Sequence, residues 1–208
     1  LFRSDRLDDK NIYEICDFNV VYDVRLKAAV NKGWLVPFRY YGIYDCTVNY
    51  DNISYVHGKY DEEELEKELM IPQRGDLVYH NYSKYNCKRA LAFCSTKKHA
   101  EYMAEFFQNR GVKAAAVYSG TDGEYNLDRR EALEKLRDGR LQIIFSVDMF
   151  NEGLDVKNID MVLFLRPTQS PTVFLQQLGR GLRTAEGKSY LTVLDFIGNY
   201  KKANLLPF

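Results

Sequence analysis

From Arg89 onward, short apolar runs alternate with amphipathic stretches, and that alternation leaves the chain few architectures. The runs are ALAFC (90–94), AAAVY (114–118), LQIIFSV (141–147), MVLFL (161–165) and YLTVL (190–194). They are largely apolar throughout instead of alternating, as strands become when helices cover both faces of their sheet. Five such strands joined by crossovers predict a doubly wound parallel α/β sheet, because right-handed crossovers distribute helices over both faces. Between the first two runs, Ala100, Met103, Ala104 and Phe107 recur at i, i+3, i+4 and i+7. That spacing predicts a helix with Ser95 or Thr96 as N-cap and Gly111 beyond its end. Between the second and third runs, Leu127, Ala132, Leu133 and Leu136 form a looser stripe, opened by Thr121-Asp122 and closed by Asp138-Gly139.

The first part of the chain differs. It offers one helix-like stretch around Val24 to Val30 and one strand-like run, LVPFRYYGIY (35–44), too few elements to enclose a core. An acidic helix start follows at Asp61 to Met70, its carboxylates suited to a helix N-terminus, and Gln73 to Tyr85 predicts a further helix. The opening residues resemble no signal peptide, and no run is long enough to span a bilayer. Twenty-nine Lys and Arg balance 29 Asp and Glu, so no global positive field is available and any nucleic-acid contact must be local. The four cysteines and the three histidines (His57, His80, His99) lack metal-ligand spacing; reduced thiols in a cytoplasmic core are expected, and no metal site.

Two segments carry chemistry. The first, Gln176-Gln177-Leu178-Gly179-Arg180-Gly181-Leu182-Arg183, fits Q-x-x-G-R-x-x-R. On a helix, Gln176, Arg180 and Arg183 share one face while Leu175, Leu178 and Leu182 occupy the other. Two glycines cost such a helix about 1 kcal/mol each relative to Ala, which close approach to a partner surface would explain. Paired guanidiniums suit the charge that develops on a transferring phosphoryl group. Two arginines alone would be an ordinary solvated face; the glutamine and the glycines set this segment apart. The second, Ser146 to Val156, directly follows an apolar strand, where open α/β sheets bind ligands. Ser146 could donate to a backbone phosphate, Gly153 would permit close approach, and Asp155 could accept from a ribose hydroxyl. Alone, it would be a turn.

Together, in this order, the two segments resemble motifs V and VI of superfamily 2 helicases. Leu91 to Thr96 resembles motif IV, and Tyr118-Ser119-Gly120 the phosphate-contacting turn after the next strand. The resemblance covers Arg89 to about Phe196 and implies a RecA-like lobe, the second of a two-lobed motor. It implies that Arg180 and Arg183 are arginine fingers, that Gln176 couples them to the nucleotide or to motif V, and that Gly153 and Asp155 touch that nucleotide. Ser95, Thr96, Ser119, Gly120 and Ser146 would line a track for the nucleic-acid backbone, without sequence preference. ATP and Mg2+ would be held mainly by the first lobe, since no phosphate-binding G-x-x-x-x-G-K-[ST] follows a strand here; GLRTAEGKS (181–189) has one residue too many and precedes a strand. More weakly, residues 26–45 resemble the tail of the first lobe in DEAD/DEAH-type relatives that include type III restriction subunits. Residues 1–56 are therefore expected to be a remnant of the first lobe with a linker, and 57–208 the second lobe. Restriction and repair likeness inclines the expected partner to DNA over RNA; a RecA-like module that has lost its chemistry is the contrasting possibility.

Overall fold

The computed structural model describes residues 26–56, 59–120, 122–148, 158–166, 178–179 and 181–197. In chain order these form α1 (Leu26–Asn31), β1 (Phe38–Tyr44), β2 (Tyr55–Val56), β3 (Lys59–Tyr60), α2 (Glu62–Leu69), α3 (Pro72–Ser83), β4 (Ala90–Phe93), α4 (Lys97–Gln108), β5 (Ala114–Val117), α5 (Arg129–Arg137), β6 (Ile143–Ser146), β7 (Met161–Phe164) and β8 (Leu191–Ile197). Six strands make one sheet in the order β1-β8-β7-β4-β6-β5, and every pairing is parallel. This is the doubly wound RecA-like α/β lobe that the apolar runs predict, with all five runs in the sheet.

Both faces are covered, and the strands divide their side chains accordingly. Leu91 and Phe93 of β4, Ile144 of β6 and Val162 of β7 pack with Ala132 and Leu136 of α5 and with Leu178 and Leu182. Ala90, Ala92, Ile143, Phe145 and Leu163 face the other way, onto Val78 and Tyr82 of α3 and onto Met103 and Phe107 of α4. A smaller cluster of Val48, Tyr50, Ile53, Leu65 and Leu69 sits under the β2–β3 hairpin and α2.

The helix boundaries follow from their caps. Thr96 caps α4 by accepting from the amide of His99 at 3.2 Å, and Asp61 caps the acidic α2 by accepting from Glu64 at 3.0 Å. Thr121-Asp122 does not open α5: its N-cap is Asp128, whose carboxylate accepts from the amides of Arg130 and Glu131. A carboxylate directly preceding the first turn outcompetes one six residues upstream, because only the former reaches the free N–H groups.

The sixth strand comes from the N-terminal stretch. Residues 38–44 of β1 run parallel to 191–197 of β8 as an edge strand of the lobe's own sheet, and Tyr40 Oη donates to Asp195 at 2.7 Å. The backbone of residues 35 and 36 is also engaged: Val36 N–H donates to the Leu182 carbonyl at 2.9 Å, and Leu35 forms an antiparallel bridge with Arg183.

Candidate nucleotide and nucleic-acid site

Parallel strands place their following loops along one edge of the sheet, and the predicted track residues are distributed along that carboxyl edge. Ser95 and Thr96 follow β4, Ser119 and Gly120 follow β5, and Ser146 ends β6. Ser119 and Gly120 are exposed, Ser95 is half-buried and Thr96 is buried as the cap of α4. Ser146 is fully buried, and its hydroxyl donates to the Ala92 carbonyl on β4 at 3.3 Å, so that side chain is engaged within the sheet.

Two of these turns meet through a residue to which the sequence assigns no role. Lys97, the first residue of α4, lies over the ring of Tyr118 with its ammonium 5.6 Å from the centroid. The same Nζ sits 3.5 Å from where a Cβ on Gly120 would be. Gly120 has φ +115°, a conformation a side chain would strain, and its carbonyl accepts from Asn126 Nδ2 at 3.0 Å. Free amides at the start of α4, the Lys97 ammonium and the exposed turn at 119–120 thus face one stretch of the edge. That is an anion-attracting combination of helix N-terminus and cation. Further along, Asp148, at φ +52°, pairs with Arg166 at 2.9 Å and ties the loop after β6 to the loop after β7.

Gln176, Arg180, Gly153 and Asp155 lie outside the described residues. Around them, Leu178 and Leu182 are buried in the core as the expected apolar face. Two expectations change here. Arg183 does not continue a helix; it follows the helical residues and is held in the bridge to Leu35, since the backbone at 182–183 pairs with the strand-like stretch before β1. Gly181 makes its close approach within the chain and not to a partner surface: a Cβ there would lie 2.6 Å from both Cδ atoms of Leu191 on β8. The ammonium of Lys188 donates to the carbonyls of Gly181 and Arg183, tying the turn at 184–187 back to the arginine segment. Burial pushes its pKa down to about 8. The GLRTAEGKS string is thus a turn, with Gly187 at φ +74°.

A cleft of about 570 Å³ lined by Lys84, Cys87, Arg89, Asp160, Lys188 and Tyr190 opens at the opposite edge, beside the amino ends of β4, β7 and β8. It is remote from the loops above. There Asp160 accepts from the amides of Lys88 and Arg89 and from Cys87 Sγ, which fixes the entry to β4. Burial and the neighbouring carboxylate push the Cys87 thiol up, so it stays protonated. Among the described residues no three His, Cys, Asp or Glu side chains gather as a metal site, and no helix is long and apolar enough to cross a membrane.

Residues 73–185 match the helicase conserved C-terminal domain family, more than half of the chain. The chain belongs to that family, as the second lobe of superfamily 2 helicases. It is 31% identical over 198 residues to IRC3 of Saccharomyces cerevisiae, named as an ATP-dependent helicase, covering 93% of this chain and 28% of IRC3. A fragment of an HsdR subunit of a type I restriction enzyme from Vibrio vulnificus superposes with a TM-score of 0.73 at 20% identity, over 96% of this chain and 39% of that one. The type ISP restriction-modification enzyme LlaBIII bound to DNA superposes with a TM-score of 0.54 at 19% identity, over 85% of this chain and 13% of the enzyme. At these identities the two structures share the fold. The chain spans less than half the length of the curated relatives it matches, 28% and 40% of two of them.

Proposed function

We propose that this lobe serves an ATP-dependent DNA helicase or translocase by supplying arginine fingers to a nucleotide and a backbone track to the nucleic acid. In this reading residues 57–208 carry the lobe's chemistry, and the segment before it leads in from a first lobe that holds ATP and Mg2+. The observation that carries it is the Q-x-x-G-R-x-x-R segment lying inside the family match, its apolar residues in the core. Arg180 and Arg183 carry planar, forked guanidinium donors that fit a polyphosphate. ATP, when bound, supplies the phosphoryl group; the arginines stabilise the charge that gathers on it, and Gln176, Gly153 and Asp155 orient against the nucleotide. Ser95, Thr96, Ser119 and Gly120, with Lys97 added, address phosphates and not base edges, so the track is indifferent to sequence; Ser146, its hydroxyl held by the Ala92 carbonyl inside the sheet, supports the track from below. The lean to DNA is supported by LlaBIII, a DNA-bound enzyme of the same fold. The lobe taken by itself is expected to show no turnover.

In the full-length protein, Arg180→Ala is expected to lower nucleic-acid-stimulated kcat by about a thousandfold, the scale of an arginine finger, with nucleic-acid binding retained. Steady-state ATPase assays with single-stranded DNA, duplex DNA and RNA measure this and rank the partners. Undiminished stimulated turnover in that variant would instead identify a RecA-like module without catalytic duty.

A further inference from the structure

Arg74, in the first turn of α3, is fully buried, and its guanidinium joins three strand ends. Nε donates to Asp45 Oδ2 at 2.8 Å just beyond β1, and Nη2 donates to the Leu165 carbonyl at 2.9 Å just beyond β7. Nη1 lies 3.2 Å from Nε2 of His99, in the first turn of α4 beyond β4. A guanidinium has only donors, so Nε2 must present a lone pair; a proton there would oppose N–H to N–H. His99 is itself fully buried, and burial together with the adjacent guanidinium holds its pKa well below the ordinary value, so the ring is neutral with its one proton on Nδ1. Nδ1 is 3.0 Å from Ser95 Oγ. The Ser95 amide also points at Nδ1, at 3.4 Å, and would favour a lone pair there; it is the longest of the three contacts to the ring, and the guanidinium at 3.2 Å, which can only donate, decides the tautomer.

We propose that Arg74 and His99 are positioning residues for the nucleic-acid track: the guanidinium selects the His99 tautomer, and that tautomer makes the Ser95 hydroxyl an outward donor. A serine oxygen that accepts from Nδ1–H keeps its own proton for another partner, and a phosphate oxygen only accepts. The opposite tautomer would draw the Ser95 proton inward and turn lone pairs toward the phosphate. Asp45 supplies the countercharge that lets the guanidinium stay buried, which connects the segment after β1 to the track. The inference rests on Ser95 contacting a backbone phosphate, as proposed above.

The test uses the full-length protein and a fluorescently labelled single-stranded DNA oligonucleotide, reading Kd by anisotropy and the DNA concentration for half-maximal ATPase stimulation. His99→Gln can offer Arg74 a carbonyl in place of Nε2 but loses the donor to Ser95; His99→Asn places an amide donor near Nδ1. Ser95→Ala and His99→Gln are each expected to weaken DNA binding by about tenfold, the scale of one hydrogen bond to a charged group, with the KM for ATP unmoved. The double variant should bind no more weakly than either single, and His99→Asn should bind more tightly than His99→Gln. If Ser95→Ala binds normally, the track assignment of Ser95 fails and this inference with it. If Ser95→Ala weakens binding while His99→Gln does not, or the two losses add, the inference alone fails. Long-range ¹H–¹⁵N NMR of the unmodified protein gives a reading independent of variant folding: an Nδ1–H pattern for His99 is expected, and an Nε2–H pattern overturns the proposal.

Discussion

Asp195 is a carboxylate that the fold buries, and among the described residues it accepts a hydrogen bond from Tyr40. Burial pushes its pKa up to about 6, with the Tyr40 hydroxyl pulling the other way. An unfolded aspartate titrates near 3.9, so between about pH 4 and pH 6 the folded chain holds a proton that the unfolded chain has released. Stability from this residue is therefore fully present below that window and is lost as pH rises through it, by on the order of 2–3 kcal/mol. Asp195→Asn keeps an acceptor for Tyr40 and carries no charge. Denaturant unfolding should show the variant close to the natural chain at pH 4 and more stable by roughly that amount at pH 7; a constant difference across pH would show that the carboxylate is solvated. Arg74 and His99 also belong to this scale, and neither was legible. An arginine in PQRG and a histidine among lysines have the sequence appearance of surface groups, and only the convergence of three strand ends makes a buried network of them.

Strands were the most legible elements, for a physical reason: burial on both faces leaves short runs of apolar residues with no polar alternation to confuse them. β1 was harder, because FRYYGIY is an edge strand that mixes exposed and half-buried positions, and nothing local announces a partner some 150 positions away. The arginine segment was half legible. Its leucines declared the core face, but Gly181 suggested contact with another molecule when the crowding comes from Leu191. Gly181→Ala drives a methyl to within 2.6 Å of two Leu191 carbons that are themselves buried, so either that side chain or the segment must give way. The expected loss is about 1–3 kcal/mol by chemical denaturation. Adding Leu191→Ala removes the obstructing carbons, so the double variant should be less destabilised than the sum of the two single changes. Strict additivity would mean that the approach of segment to strand is not what requires glycine.

At the scale of the molecule, the boundary placed at residue 57 can be judged by what would remain without the preceding stretch. Removing residues 1–56 strips β1 from β8 and uncovers a seven-residue strand edge, the kind of edge that recruits other chains. It takes Val36 from the core and the Val36 amide from the Leu182 carbonyl beside the arginine segment. It also takes Asp45, leaving Arg74 buried without its carboxylate, a loss of about 3–5 kcal/mol against a typical total of 5–15 kcal/mol. A chain of residues 57–208 is therefore expected to aggregate or to lose cooperative unfolding, whereas residues 26–208 should be monomeric with a single sharp transition. Size-exclusion chromatography and denaturant unfolding of the two chains make the comparison. Should 57–208 stay monomeric and unfold at the same midpoint as 26–208, the stretch through β1 would be a dispensable linker. The expected result instead makes it part of the lobe's folding unit, so that movement of the chain entering at β1 would be felt through Asp45 and Arg74 at the loop that carries Ser95.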